Sequence, residues 1–339
     1  MKRIPTQEAV GHVLCHDMTQ IIPGQYKDAR FRKGHVVREE DVPVLLSMGK
    51  EHLYVWEMVP GMLHENDAAE RLCALCRNEG MDRSAVKEGK IELTAAADGL
   101  FRVDSARLNA VNAQEDVMIA TRHGGTAVRR GDKLAGMRVI PLVIEEEKLR
   151  RAEEAAGKQP LLELLPWKLK TAAIVTTGSE VAKGLIQDSF TPVVERKLAE
   201  FGIRTVERRT PGDGIEAVKS AILEVKAARL DLILCTGGMS VDPDDNTPGA
   251  VKRSGARIVT YGAPVLPGAM FLLGYFEDGT PILGLPGCVM YAKRTIFDLV
   301  LPKAAAGVPI TRADIAVLGE GGLCLGCQAC TYPNCGFGK

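Results

Sequence analysis

The 339-residue chain has no excess of either charge, no long apolar run and, beyond residue 123, no histidine. Each absence excludes something. Lys+Arg and Asp+Glu both number 43, so the net charge is zero and the basic excess of a nucleic-acid binder is missing. Apolar runs such as VIPLVI at 139–144 are far too short to cross a bilayer, so no membrane span is expected. Residues 1–20 hold no unbroken apolar stretch of the signal-peptide kind. The nine cysteines are therefore expected to be reduced thiols in the cytoplasm rather than disulfides. All six histidines (His12, His16, His35, His52, His64, His123) lie in the first 123 residues. Chemistry in the second half must run on carboxylates, hydroxyls, cysteines and backbone. No internal repeat or low-complexity tract is present.

What is there falls into segments. EEEKLRRAEEAAGKQP (145–160) is charged and Ala-rich and ends at Gly-Lys-Gln-Pro, which reads as a solvated connecting helix within a linker over 145–167. Beyond it, TAAIVT (171–176) is an apolar strand. Phe190, Val193, Val194, Leu198 and Phe201 fall at helical spacing, IRTVERR (203–209) reads as a strand, and Ile215, Val218, Ile222 and Val225 share one helical face. LDLILC (230–235) is the continuous run of a strand buried on both faces. This alternation predicts a doubly wound, mostly parallel α/β domain over 168–309, with ligands at the carboxyl ends of its strands. MFLLGYFEDGTPILGLPG reads as a hairpin turning at Asp278-Gly279, and VMYAKRTIFDLVL as a closing helix. Upstream, residues 1–60 offer strand, helix and strand. Residues 61–144 offer an amphipathic helix, with Cys73 and Cys76 expected in its core face, and short strands between Asp-Gly, Gly-Gly and Gly-Asp turns: a small β-rich α+β region.

The densest chemistry lies in CTGGMSVDPDDNTPGA (235–250). Gly237 and Gly238 allow backbone N–H groups to approach a ligand closely. Asp242, Asp244 and Asp245 are hard oxygen donors suited to Mg²⁺, which is held by one or two carboxylates and substrate phosphates. The competing reading is a helix start at Thr247-Pro248, because Asp-rich turns cap helices. Other strand-end loops add to the first reading: TTGSEV brings Gly178 and Glu180, TPGDG brings Asp213, and GLPGC is a glycine turn aimed at a helix start, a natural anion site. Asp188 in QDSF has a capping role and a ligand role in competition.

Together TTGSEV (176–181), QDSF (187–190), PGDG (211–214), GGMSVDPDD (237–245), LPGAMF (266–271) and GLPGCV (284–289) resemble the molybdopterin-binding domain shared by molybdopterin molybdenumtransferases, molybdopterin adenylyltransferases and gephyrin. The upstream EAVGHVLCHDM and FRKGHVVREEDVPVLLSMGKEHLYV resemble the transferases more weakly. The resemblance implies molybdopterin as ligand, with molybdate and Mg²⁺ as co-substrates. It assigns Glu180, Asp188, Asp213 and Asp245 to the divalent ion or the molybdate environment. Gly178, Gly237, Gly238, Ser240 and Thr247 would contact the pterin or its phosphate, and Pro286 and Gly287 would form a second anion turn. It also implies a homodimer, and a molybdoenzyme or another cofactor-biosynthesis protein as partner. Two departures stand out: the family's P-G-K-P lysine is Ala269, and its P-G-N-P turn reads Pro286-Gly287-Cys288-Val289. The departures leave open a non-catalytic cofactor carrier or sensor. The paired Asp244-Asp245, shared with competence-damage-inducible relatives, leaves open a nucleotide-pyrophosphate hydrolase.

Residues 310–339 form a cysteine-rich tail. Cys324, Cys327, Cys330 and Cys335 follow one another at x₂, x₂ and x₄ spacing among glycines. Structural zinc pairs two separated C-x₂-C knuckles, whereas consecutive x₂ steps suit the corners of a cuboidal [4Fe–4S] cluster. Zinc is the first alternative, and a tail that binds no metal is the second. An iron–sulfur tail would imply an anaerobic host. Cys15 and Cys235 read as buried structural thiols, Cys288 as an isolated thiol at the proposed anion turn, and His123 as a solvated loop residue.

Overall fold

The computed structural model describes residues 2–22, 26–56, 60–185, 187–240 and 245–339. The chain divides into two compact units. One comprises Met1–Ala97, Val103–Arg122 and Arg130–Leu164; the other comprises Asp98–Arg102, His123–Arg129 and Leu165–Lys339. Among the described residues no helix is long and apolar enough to span a membrane.

The first unit is β-rich. Its largest sheet runs Val117–Thr121, Lys133–Val139, Ile91–Ala95, Met81–Arg83, all antiparallel. The helix Glu65–Cys76 begins where the His64 ring accepts a hydrogen bond from the Asn66 N–H at 3.2 Å. Cys73 and Cys76 are buried on its inner face, and burial pushes the Cys76 thiol up to about 12. The charged segment after residue 145 does not behave as a solvated connector. Glu146–Ala156 is a helix that buries Leu149, Ala152 and Ala156 inside the first unit, and Arg71 clasps Glu153 through two hydrogen bonds of 2.6 and 2.7 Å. Three small or apolar side chains on one face suffice to dock it.

The second unit carries the α/β layer. Its strands are β1 (Thr171–Thr176), β2 (Arg204–Arg209), β3 (Leu232–Thr236), β4 (Arg257–Tyr261), β5 (Leu272–Tyr275) and β6 (Pro281–Leu285). Helices α1 (Phe190–Ala199), α2 (Ile215–Ala227), α3 (Thr247–Arg253) and α4 (Ile296–Ala305) pack on it. The spatial order is β2-β1-β3-β6-β5-β4. The first four strands are parallel, and β5 runs antiparallel to both neighbours. Alternation along β1 explains the two layers: Ala172 and Ile174 face one core with α1 and α4, while Ala173 and Val175 face the other with α2 and α3. The chain leaves β1 toward β2 on one side and returns to β3 on the other. The carboxyl ends of β1 and β3 therefore flank the topological switch point, where such sheets hold ligands.

Two expectations shift here. The segment VMYAKRTIFDLVL is not one helix. Gly287–Met290 is a single 3₁₀ turn, and α4 starts only at Ile296, because Thr295 and Asp298 form a reciprocal capping box. The GLPGC turn therefore lacks a following helix to lend it a dipole. The tail, moreover, is docked: Phe337 is 5% exposed within the α1–α4 core, and the Tyr332 hydroxyl donates to the Asp298 carbonyl at 2.9 Å.

Candidate functional site

The switch point is built on threonines. β1 ends at Thr176 and β3 at Thr236, and both side chains are buried. The Thr236 hydroxyl donates to Thr176 Oγ1 at 3.1 Å, and Thr176 Oγ1 lies 3.3 Å from Thr191 Oγ1. One residue on, the Thr177 N–H donates to the Thr236 carbonyl at 2.7 Å. Its hydroxyl lies 3.3 Å from that of Thr247, which donates to the Gly237 carbonyl at 2.9 Å. These bonds satisfy buried hydroxyls and fix the ends of both strands to the starts of α1 and α3.

On this base sits the glycine turn. Gly237 and Gly238 have φ of +82° and +54°, the left-handed region that glycine enters without cost. A Cβ on Gly237 would stand 2.3 Å from the Thr177 carbonyl oxygen, and one on Gly238 would stand 2.9 Å from Thr247 Oγ1. Only glycine fits the first position, so the backbone there runs against its neighbour strand. Gly178, at φ +142°, opens the adjoining loop.

The carboxylates divide by role. Asp188 accepts hydrogen bonds from the N–H groups of Phe190 (2.8 Å) and Thr191 (3.0 Å), from the Thr191 hydroxyl, and from Thr176 at 3.3 Å. Its competing roles resolve in favour of capping, for its oxygens are committed to the start of α1. Burial pushes its carboxyl up, but these donors outweigh it and hold the group below the ordinary carboxylate range. A depressed carboxyl stabilises the fold above its unfolded value and loses that contribution as pH falls through the folded value. Asp188→Asn should therefore cost about 1 kcal/mol at neutral pH, with the deficit shrinking in acid below the usual carboxylate range. Urea unfolding at two pH values measures this; a constant deficit would reject the assignment.

Asp213 is half-buried in the loop after β2, and its carbonyl accepts from Asn246 Nδ2 at 3.0 Å. That bond draws the PGDG loop and the Asp245-Asn246 segment together. Asp245 is half-buried, and its charge reaches Tyr261, whose phenol is pushed up by burial first and by Asp245 second. The Tyr261 hydroxyl donates to the carbonyls of Met239 (2.9 Å) and Ser240 (3.2 Å), bracing the loop on which Ser240 is exposed. Thr247 is a different case from the expected ligand contact. It is 1% exposed and its hydroxyl is spent on Gly237, so it shapes the turn from beneath. Asp242, Asp244 and the Glu180 side chain lie outside the described residues.

The turn after β6 joins the same edge. Ser189, next to Asp188, donates to the Met290 sulfur at 3.3 Å, which brings Pro286 and Gly287 alongside the loop before α1. Cys288 is half-buried there, and burial raises its thiol. Tyr261 and the threonines Thr176, Thr177, Thr191 and Thr236 escaped the sequence reading. The paired Thr-Thr at 176–177, at the end of an apolar strand and before glycine, was the available signal for the latter.

Parts of the chain are similar to known proteins. Residues 173–306 match the family described as "Probable molybdopterin binding domain", and residues 3–57 match a domain of unknown function, DUF8806. The molybdopterin molybdenumtransferase of Staphylococcus epidermidis is similar at 24% identity over 331 residues, covering 89% of this chain and 72% of its own length. The CinA-like protein of Pseudothermotoga lettingae is 33% identical over 86 residues, which is 25% of this chain but 21% of that protein. This chain thus spans about a fifth of that relative's length. The molybdopterin biosynthesis enzyme MoaB of Thermus thermophilus aligns with 40% of this chain and 91% of its own, at 25% identity and a TM-score of 0.36. The matched span contains β1, β3, β6 and the glycine turn between them, so residues 173–306 of this chain carry a probable molybdopterin-binding domain.

Proposed function

We propose that the β1–β3–β6 edge binds molybdopterin through its terminal phosphate and supports Mg²⁺-dependent insertion of molybdate into the adenylylated pterin. In that reaction water would cleave the phosphoanhydride and release AMP, and molybdate would lose oxide as water as its metal binds the two dithiolene sulfurs. The observation that carries the reading is the Gly237-Gly238 turn, with φ of +82° and +54°, at the carboxyl end of β3 beside the switch point, where such sheets hold ligands. A turn with no side chain lets a phosphate reach the backbone N–H groups. Hard oxygen donors on two adjoining loops, Asp213 and Asp245, fit a divalent ion at that phosphate. With Asp242 and Asp244 they would hold Mg²⁺, which would offset the repulsion between carboxylates and phosphate oxygens. Asp188 and Thr247 position the edge; Ser240, Pro286 and Gly287 offer it contacts.

Isothermal titration with adenylylated molybdopterin and Mg²⁺ tests the reading, and absence of heat at saturating pterin would end it. Asp245→Asn should keep the fold and lower Mg²⁺-dependent turnover by about 10²-fold or more, as expected when a metal-bearing carboxylate is neutralised. Turnover unaffected at limiting Mg²⁺ would remove Asp245 from the site.

A second reading is favoured by Ala269 and Cys288, which replace a lysine and an asparagine of the family pattern. Loss of the lysine removes a point charge on phosphate, and loss of the asparagine removes side-chain hydrogen bonds. On this reading the edge carries or senses finished cofactor without turning it over. Binding without molybdate insertion separates the two.

A further inference from the structure

The tail folds back on the α/β layer as a closed lobe. The Leu266 N–H donates to the Gly322 carbonyl, the Cys324 N–H donates to the Leu266 carbonyl, both at 2.8 Å, and the Gly338 N–H donates to the Gly321 carbonyl at 2.9 Å. Arg294 lies over the Tyr332 ring at 4.8 Å, and Tyr332 packs edge-on against buried Phe337. Leu299 Cδ2 occupies the space of a Cβ on Gly338, at 2.4 Å. Twelve residues that hold four thiols are thus pinned at both ends.

Between those ends lies a cavity of about 410 Å³. All four tail cysteines line it, and Lys293 and Arg294 form part of its wall. Cys324 and Cys335 are half-buried on the core side; Cys327 and Cys330 are exposed on the outer side. Lys293 also holds the lobe, donating to the Gln328 carbonyl at 2.7 Å.

The thiols surround a space rather than a point. A structural zinc would draw four sulfurs to about 2.3 Å from one centre and usually pairs two separated C-x₂-C knuckles, whereas the consecutive x₂ steps here suit the corners of a cuboidal cluster. The cavity has room for roughly a dozen waters at about 30 Å³ each. Four separate thiols around such a volume suit an object with four corners. Four thiolates on a [4Fe–4S]²⁺ core leave a net charge of −2, and the two cations on the wall face that charge.

We propose that Cys324, Cys327, Cys330 and Cys335 ligate one [4Fe–4S] cluster in this cavity. Each thiol loses its proton and binds one iron. The wall residues Lys293 and Arg294 follow the Gly287–Met290 turn after Tyr291 and Ala292, so cluster and candidate pterin edge share one segment of chain. The proposal does not depend on the pterin reading, and its test uses no pterin.

The full chain, purified anaerobically and reconstituted with ferric iron, sulfide and an excess of thiol that reduces half of the iron, should hold about four iron and four sulfide. It should show a broad visible charge-transfer band that bleaches with dithionite, giving a one-electron paramagnetic signal. Cys327→Ser removes an exposed thiol, and Cys330→Ser removes an exposed thiol whose bonds to the Tyr332 N–H and Arg294 a serine hydroxyl can also accept. Each should retain the circular dichroism of the parent and lose the band and most of the iron. Stoichiometric zinc that iron and sulfide do not replace would overturn the proposal. So would a band unchanged in both variants, or a reconstituted chain with no bound iron.

Discussion

Gly237→Ala is expected to abolish pterin binding and to destabilise the second unit by roughly 2–4 kcal/mol, the sum of left-handed strain and a steric clash. The new methyl would stand 2.3 Å from the Thr177 carbonyl oxygen and 2.7 Å from its hydroxyl oxygen. The first contact is with backbone, which cannot rotate away. The Thr177 N–H is bonded to the Thr236 carbonyl at 2.7 Å, so relief requires β1 and β3 to part at their ends. A control isolates the clash. Gly202 has φ of +70° with open space where a Cβ would go, so Gly202→Ala carries the strain alone, about 1–2 kcal/mol. Urea unfolding of the two variants, with pterin titration of each, measures the difference. Equal stability losses, or Gly237→Ala binding pterin like the parent, would show that the turn is not held as described.

That turn was legible as a bend because Gly-Gly is a local signal, although the contact that requires its first glycine, with Thr177, comes from the end of β1. A continuous apolar strand followed by Gly-Gly states both that the backbone is buried and that it must bend with no side chain in the way. The same holds for β5 and β6, whose turn at Asp278-Gly279 is fixed by neighbouring residues. What stayed hidden depends on partners far away in the chain. The helix Glu146–Ala156 looks solvated from composition, since its burial rests on Leu149, Ala152 and Ala156 meeting surfaces formed elsewhere. Residues 98–102 and 123–129 belong with the second unit, though both lie within a stretch that reads as one β-rich module. Asp188 offered two roles in the sequence, and only the positions of Thr176 and Thr191 decide between them. Thr247 sits inside a ligand-like motif, yet its burial turns it into support for the motif's backbone.

The largest stability effect is expected at a residue that no motif pointed to. Asp298 is 7% exposed and its Oδ1 meets Lys197 Nζ at 2.5 Å and the Arg294 guanidinium at 2.8 Å; its Oδ2 accepts from the Thr295 N–H at 2.8 Å. The pair with Lys197 joins α1 to α4 across 101 residues of sequence. Asp298→Ala removes the only carboxylate these described contacts give Lys197 and leaves its ammonium, 11% exposed, buried without that compensation. Stranding a buried charge in this way costs about 3–5 kcal/mol, more than the pair itself contributes. Lys197→Met should cost less, because Asp298 keeps Arg294 and its capping bonds. In the double variant Lys197→Met/Asp298→Ala the stranded charge is gone, so its loss should fall below the sum of the two single losses. Strict additivity in chemical denaturation would mean that the ammonium escapes to water once the carboxylate is removed. The tail should register the same change. Arg294, released from Asp298, loses the anchor that keeps it over Tyr332, and Tyr332 holds the cysteine lobe against α4. Asp298→Ala should therefore shed cluster iron faster under a chelator than Lys197→Met does, even at temperatures where both remain folded. Equal rates would separate the lobe from the buried pair and confine the role of Asp298 to joining two helices.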